Sequence, residues 1–339
     1  MDFFFIEYRD PIFGLIVLFA TLLLVAISSY ALGIWGAKDE NRSIEKFVKK
    51  FENSSGLSQK HKKMLLDLDI DINSLSVLAL TFAKSGDFDK AISVYLVALE
   101  KSKDKKEREF LLNSLGKIYI KAGFLKRASD MFLEAIKLRA RNDEALRHLS
   151  VCYEKLRMYK NCLEALDALD EQGVIDKAEI AYTKALILRD EPMKFDEKIK
   201  EFLELSDDFE PLKRMVLEQF IKNGEPLSSL STFPKLDICK DLMFRLKEPV
   251  NLQDSEFRQF FKSLNLIKDE IEIEDFNLSL FKAAKDNGIN ATLSFSYFCS
   301  QCKTSYPIFF YRCPNCARLG SCKILTQISK DEIENSMPF

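Results

Sequence analysis

Apolar and polar positions divide the chain into three regimes. From Pro11 to Ala37 no charged residue occurs, and the run from Ile12 to Trp35 exceeds the roughly 20 apolar residues a membrane-spanning helix needs. Between residues 72 and 176 the apolar positions recur with helical spacing and at matched offsets. Leu75, Leu78, Ala79, Phe82, Gly86, Ala91, Tyr95 and Ala98 are followed by Leu112, Leu115, Gly116, Tyr119, Gly123, Ala128, Phe132 and Ala135. A third set keeps Leu146, Leu149 and Tyr153, with Ser150 and Cys162 at small positions and Arg157 where the turn glycine stood. The turn positions 86, 123 and 157 advance by 37 and then 34 residues. Near the C-terminus the period changes to two: Leu293, Phe295 and Tyr297 alternate, as do Ile308, Phe310 and Arg312, which predicts strands.

The repeating set resembles the tetratricopeptide repeat (TPR) family, in which paired helices stack into a solenoid. Small residues such as Ala91, Gly116 and Ala128 allow close helix approach, and Phe82, Tyr95, Tyr119 and Phe132 wedge between helices. The units read 72–105, 109–142 and 143–176, and the closing proline usual in such repeats is absent from all three. Helix-A residues of a TPR stack line a concave surface, which here would present Ser76, Leu80, Asn113, Lys117, Ile120, Arg147 and Val151. Asn113, Lys117 and Arg147 are the candidate partner-binding residues.

Two C-x2-C pairs, Cys299/Cys302 and Cys313/Cys316, stand ten residues apart. Each pair forms a tight knuckle, and the intervening residues can return as a hairpin, so four thiolates converge on a tetrahedral site. Zinc suits such a site, and iron is possible in the same sulfur set. Four protein ligands leave no open position for water, so the role expected is structural. Cys152, Cys162 and Cys239 fall in helical pattern and are expected to be buried; Cys322 lies near the cluster.

The expected fold is therefore mainly α, with residues 1–37 as a transmembrane anchor, 38–71 as a juxtamembrane helical linker and 72–176 as readable TPR units. Residues 177–290 are a degenerate TPR-like helical region, 291–325 a four-cysteine, rubredoxin-like β zinc ribbon, and 326–339 a tail. Composition agrees with helices: 11 Gly and 9 Pro in 339 residues is about half of average usage, and no proline lies between Pro11 and Pro192. Five basic residues over 38–50 against Arg9 alone before the apolar run place the body in the cytoplasm by the positive-inside rule. A cleaved signal peptide is disfavoured by the acidic Asp2, Glu7 and Asp10.

A net charge of −2 calls for no bulk nucleic-acid binding. Locally, no acidic residue occurs between Asp286 and Asp331, whereas Lys303, Arg312, Arg318, Lys323 and Lys330 do, among seven aromatics from Phe295 to Tyr311. Such a mix can clamp a nucleic-acid strand or dock its aromatic side on a neighbouring domain. No Walker A loop or H-E-x-x-H occurs, His61 and His148 have no ligand or triad spacing, and no catalytic residue is assigned.

Anchor, repeats and ribbon in this order resemble the lipopolysaccharide assembly protein B family. Tyr297 to Cys302 and Tyr311 to Cys316 match its rubredoxin-type module in paired cysteines, ten-residue gap and Cys-Pro-x-Cys knuckle. Lys303 stands where that family usually has Gly. The resemblance implies an inner-membrane adaptor, not an enzyme, that regulates lipopolysaccharide synthesis by helping a membrane-anchored AAA protease degrade the lipid A deacetylase. It also implies Cys299, Cys302, Cys313 and Cys316 as metal ligands. A membrane-tethered scaffold with another client, or a homo-oligomer, fits the same layout, and a ribbon that binds RNA is the alternative from another class.

Overall fold

The computed structural model describes residues 18–28 and 56–330. Most of the expected anchor, much of the linker and residues 331–339 of the expected tail lie outside these. Residues 18–28 are helical (α1), with Leu18, Phe19, Leu22, Leu23, Leu24, Val25 and Ile27 all exposed. Among the described residues no helix is long and apolar enough to cross a membrane.

The chain forms two compact units, residues 1–152 and 153–339. In the first, α2 (Gln59–Asp67) precedes two hairpins, α3 (Ile72–Lys84) with α4 (Phe88–Lys101) and α5 (Lys105–Lys121) with α6 (Leu125–Leu138). Helix α4 packs against α2, α3 and α5, and every residue from Ala91 to Leu99 is buried in consequence. Gly116 shows why a small side chain is required on α5: a Cβ there would sit 2.6 Å from the Phe132 ring of α6. Small residue and aromatic wedge occupy complementary sides of one joint.

A third tight turn joins the end of α7 (Asp143–Lys155) to α8 (Tyr159–Asp170). All three turns have the same build. The amides of Asp87, Phe124 and Met158 each donate to a carbonyl five residues back, on Phe82, Tyr119 and Tyr153. The residue before each is left-handed: Gly86 at φ 85°, Gly123 at φ 81° and Arg157 at φ 58°. Arg157 therefore meets with an L side chain a geometry that glycine adopts without strain. Arg157→Gly is expected to raise stability by roughly 0.5–1 kcal/mol, the relief of strain exceeding glycine's extra chain entropy, read as a higher denaturant midpoint at unchanged slope.

The second unit continues with α9 (Lys177–Asp190), α10 (Phe195–Ser206) and α11 (Leu212–Asn223), each packed on the next. Where the prolines cluster, the helices shorten to α12 (Lys240–Leu246), α13 (Ser255–Ser263) and α14 (Phe276–Asp286), with 3-10 turns at Leu227–Ser229 and Leu236–Ile238. The ribbon follows: β1 (Ala291–Cys299), β2 (Ser305–Tyr306) and β3 (Cys322–Lys330), antiparallel in the order β2-β1-β3. One apolar core runs from Ala181 on α9 through Phe202, Phe220, Phe257 and Phe261 to Ala291 and Leu293 on β1.

Two expectations about the ribbon change. The alternation at Ile308, Phe310 and Arg312 is not a strand, apart from a single bridge between Arg312 and Leu319; the long partner of β1 is β3, beyond the second knuckle. The ribbon accordingly extends to Lys330, which pairs with Ala291, and not to 325. Between the knuckles Phe310 is buried in the ribbon's own core, Phe309 and Tyr311 face the helices and Ile308 is exposed, so the two-residue period there does not report a strand.

Candidate metal centre

β1 delivers Cys299 at its end, and Cys302 follows in the first knuckle. Cys313 and Cys316 come from a second knuckle of the same build. In each, the amide four residues on donates to the carbonyl of the first cysteine: Lys303 to Cys299 and Ala317 to Cys313, both at 3.0 Å. The amides of Cys299 and Cys313 in turn donate to Thr304 and Arg318. Lys303 and Ala317 sit just after the second cysteine with φ of 61° and 58°, so both knuckles close through a left-handed residue that is not glycine.

All four sulfurs lie within 4.8 Å of one another, with Cys299 to Cys316 at 3.7 Å and Cys302 to Cys313 at 3.6 Å. Metal–sulfur bonds of about 2.3 Å in a tetrahedron put sulfurs about 3.8 Å apart, so the edges of this cluster have the right size for one four-coordinate ion. Cys299 and Cys313 are buried and Cys316 is exposed. Cys302 is held down to about 5, first by the Thr304 hydroxyl 3.4 Å away and then by the Thr304 amide. A thiol so placed ionises readily and suits a cation. Although the residue's outer side is exposed, local desolvation of its sulfur and then hydrogen bonding with the other three thiols push Cys316 up to about 12, the opposite end of the same charge-sharing group. This is the single group of three or more metal-ligating side chains brought together among the described residues.

The ribbon's own core is small, comprising Tyr297, Cys299, Phe310, Cys313 and Ile324. Its other side is fastened to the helices by two buried ionic groups. Arg312, next to Cys313, donates from Nε to Glu154 and from Nη2 to Glu179, both at 2.5 Å, and from Nη1 to the Ala317 carbonyl. Burial opposes its charge, but the two carboxylates keep the guanidinium firmly protonated. Arg214 on α11 makes a bidentate pair with Asp241 at 2.6 and 2.8 Å, bonds Glu218, and lies 3.8 Å from the centre of the Phe309 ring. The Tyr297 hydroxyl donates to Asp241 at 2.8 Å and the Tyr311 hydroxyl to Glu218 at 3.0 Å. Burial drives the Tyr311 phenol well above its ordinary range, which keeps it a donor.

Residues 74–109 match the tetratricopeptide repeat family. The TPR match covers α3, α4 and the start of α5, so the chain contains at least one module of a class that binds proteins and is typically non-enzymatic. Solved structures similar in part include MamA MSR-1, at 16% identity over 47% of this chain and 90% of that one, TM-score 0.34. MamA AMB-1 is similar at 15% identity over 47% and 86%, TM-score 0.33. None of the curated proteins compared with the chain matches it.

The expected partner-binding residues are dispersed in role. Asn113 is buried, its amide donating to Asn142 and Glu144, so it joins α5 to the start of α7 and is not presented to solvent as expected. Lys117 is half-exposed and paired with Glu144, and Arg147 is exposed. Ser76 is buried against the Ile72 carbonyl, and Val151 is buried as well. His61 bonds Ser58, whose hydroxyl caps α2, and His148 stacks on Phe132. Cys152, Cys162 and Cys239 are buried as expected, although Cys239 sits in the turn before α12 and not in a helix. The residues missed from sequence are Glu154, Glu179, Arg214 and Asp241. Their signal would have been charge on otherwise apolar helix faces, which pattern alone cannot tell from a solvated position.

Proposed function

We propose that this chain is a non-enzymatic TPR adaptor at the inner membrane, tethered by residues 11–37 with its N-terminus outside and its body in the cytoplasm. In this reading it regulates lipopolysaccharide synthesis by presenting the lipid A deacetylase to a membrane-anchored AAA protease. The observation that carries the adaptor role is the closed four-thiol knuckle pair, fastened by Arg312 to the helices. Such a site holds a metal with no open coordination position, so the ion, zinc in this proposal, stabilises the module and performs no chemistry on a substrate. The uncharged run over 11–37 and the order of anchor, repeats and ribbon support the membrane and pathway assignments.

Affinity purification from detergent-solubilised membranes is expected to recover the protease and the deacetylase, and depletion of the chain is expected to raise lipid A output. Recovery of a different client with unchanged lipid A would replace the pathway and leave a scaffold. Metal analysis of the purified chain is expected to give one zinc per chain. One iron with a visible thiolate charge-transfer band would correct the metal.

An RNA-binding ribbon is less well supported, because Arg312 is spent on Glu154 and Glu179, and Tyr297, Phe309 and Tyr311 face the helices.

A further inference from the structure

The ribbon carries a fifth cysteine, Cys322, that stands outside the sulfur cluster. It opens β3 directly opposite Cys299, the last residue of β1. Both main-chain groups of Cys299 turn away from β3: its amide donates to Thr304 and its carbonyl accepts from Lys303. The next residues along do bond across, the Ser300 amide to the Ser321 carbonyl at 2.8 Å. Cys299 and Cys322 are therefore a non-hydrogen-bonded pair, the closer kind in an antiparallel ladder, with Cα atoms about 4.5 Å apart. A disulfide takes Cα separations of roughly 4.4–6.8 Å, so the backbone already holds these two cysteines at a bridging distance. Residues directly opposed share a face of the sheet, and both side chains pack in the same small core with Phe310.

One sulfur cannot serve both partners. Turned to the cluster, Cys299 lies 3.7 Å from Cys316; bonded to Cys322, it would leave three thiols behind, too few for the closed four-sulfur site. Access to the cluster is uneven. Cys316 is exposed, whereas Cys299 is fully buried and Cys322 half-buried. A small oxidant therefore meets the cluster at Cys316, whose sulfur is already against that of Cys299.

We propose that Cys299 and Cys322 form a reversible redox switch, in which a peroxide converts the metal-bound ribbon into a metal-free one whose strands are held by a cross-strand disulfide instead of the ion. The inference rests on reading the four-thiol cluster as a metal site. The Cys316 thiolate attacks the peroxide: an S–O bond forms, the O–O bond breaks and hydroxide leaves. The Cys299 thiolate attacks the resulting sulfenic acid and expels a second hydroxide. Cys322 then attacks the Cys299 sulfur, its proton passes to one of the hydroxides, and Cys316 leaves as thiolate. Cys299 and Cys322 have together given up two electrons, the peroxide has become water and hydroxide, and Cys316 is returned unchanged. Two equivalents of a small thiol reduce the bridge and the site reloads, as suits a compartment where disulfides are transient and redox-sensing.

The test uses the full chain in detergent, reduced, loaded with zinc and then given hydrogen peroxide, with zinc release followed by a chromogenic chelator. Zinc is expected to leave, alkylation and peptide mapping to find Cys299 joined to Cys322, and a thiol reductant with added zinc to restore the loaded state. Because the bridge holds the strands, amides of β1 and β3 are expected to keep their protection from exchange while those of Lys303 and Ala317 lose it. Cys322→Ser is expected to bind zinc normally when reduced, but when oxidised to exchange its β1 and β3 amides on the order of tenfold faster than the oxidised parent chain. A loaded parent chain that ends with Cys299 joined to Cys316, or Cys302 to Cys313, and with Cys322 still open to alkylation would overturn the proposal. Equal loss of protection in the two oxidised chains would do the same. A reduced chain that takes up no zinc would instead remove the metal reading, and the switch with it.

Discussion

Stripping the metal, or replacing Cys302 or Cys313 by Ser, is expected to unfold residues 291–330 and to lower the melting temperature of the second unit while the first keeps its own. A structural four-thiolate site contributes on the order of 10 kcal/mol or more of apparent binding energy that is also folding energy. The ribbon has little to set against that loss, since its own core is five side chains. Damage should pass into the helices, because Ala291 and Leu293 of β1 belong to the core built on α9 to α13. Residue-resolved hydrogen exchange reads this directly: amides of β1 and β3 lose protection, those of α4 and α5 keep it. Cys322→Ser is the control. Cys322 pairs with Cys299 across the sheet but lies outside the sulfur cluster, so this variant should keep its metal. Full metal content and normal protection in Cys302→Ser would overturn the assignment of that residue as a ligand.

The second large effect is expected at Arg214 and Asp241, both about 3% exposed. Removing either partner leaves an unmatched buried charge, a loss of about 3–5 kcal/mol. Arg214→Met and Asp241→Asn are each expected to fall in that range in denaturant unfolding, whereas the double variant Arg214→Met/Asp241→Leu should recover much of it, since only the part-exposed Glu218 carboxylate, still bonded by Tyr311, then lacks its cation. Equal or additive losses would mean the network acts as separate contacts. The acid side follows from the same pair. Burial raises the Asp241 carboxyl, but the hydrogen bonds and charge of Arg214 outweigh it and hold the group below its ordinary value. A carboxylate depressed in the folded state contributes its stability above the unfolded value, about 3.9, and loses it as pH falls through the lower folded one. The pH dependence below about 4 should therefore be shallower in Asp241→Asn than in the parent chain.

Much of the helical part was legible because its constraints are local. Gly86 and Gly123 mark turns whose geometry requires a left-handed residue, and Gly116 with Phe132 marks a joint whose spacing recurs in sequence. The four cysteines were legible for the same reason: two residues between thiols define a knuckle whatever surrounds it. Arg157 at a left-handed turn was visible as a departure, although its cost becomes clear only with the φ angle. Asn113, a polar residue on helix A, reads as solvent-facing in sequence, and only the fold shows it buried against Asn142 and Glu144 across the joint.

The sequence by itself therefore determined the hairpin repeats, the knuckles and the basic, aromatic character of the segment between them. Tertiary structure alone decided what that segment does. Arg312 and Glu154 are 158 residues apart and Tyr297 and Asp241 are 56 apart, and no periodicity links them. Whether a cation is solvated or buried between carboxylates depends on which surfaces fold together, and of the two readings the sequence allows for this stretch, a nucleic-acid clamp or a docking ribbon, burial of Arg312 makes it the fastening between ribbon and helices. The same folding makes residues 326–330, expected as tail, the second half of β3, paired with β1.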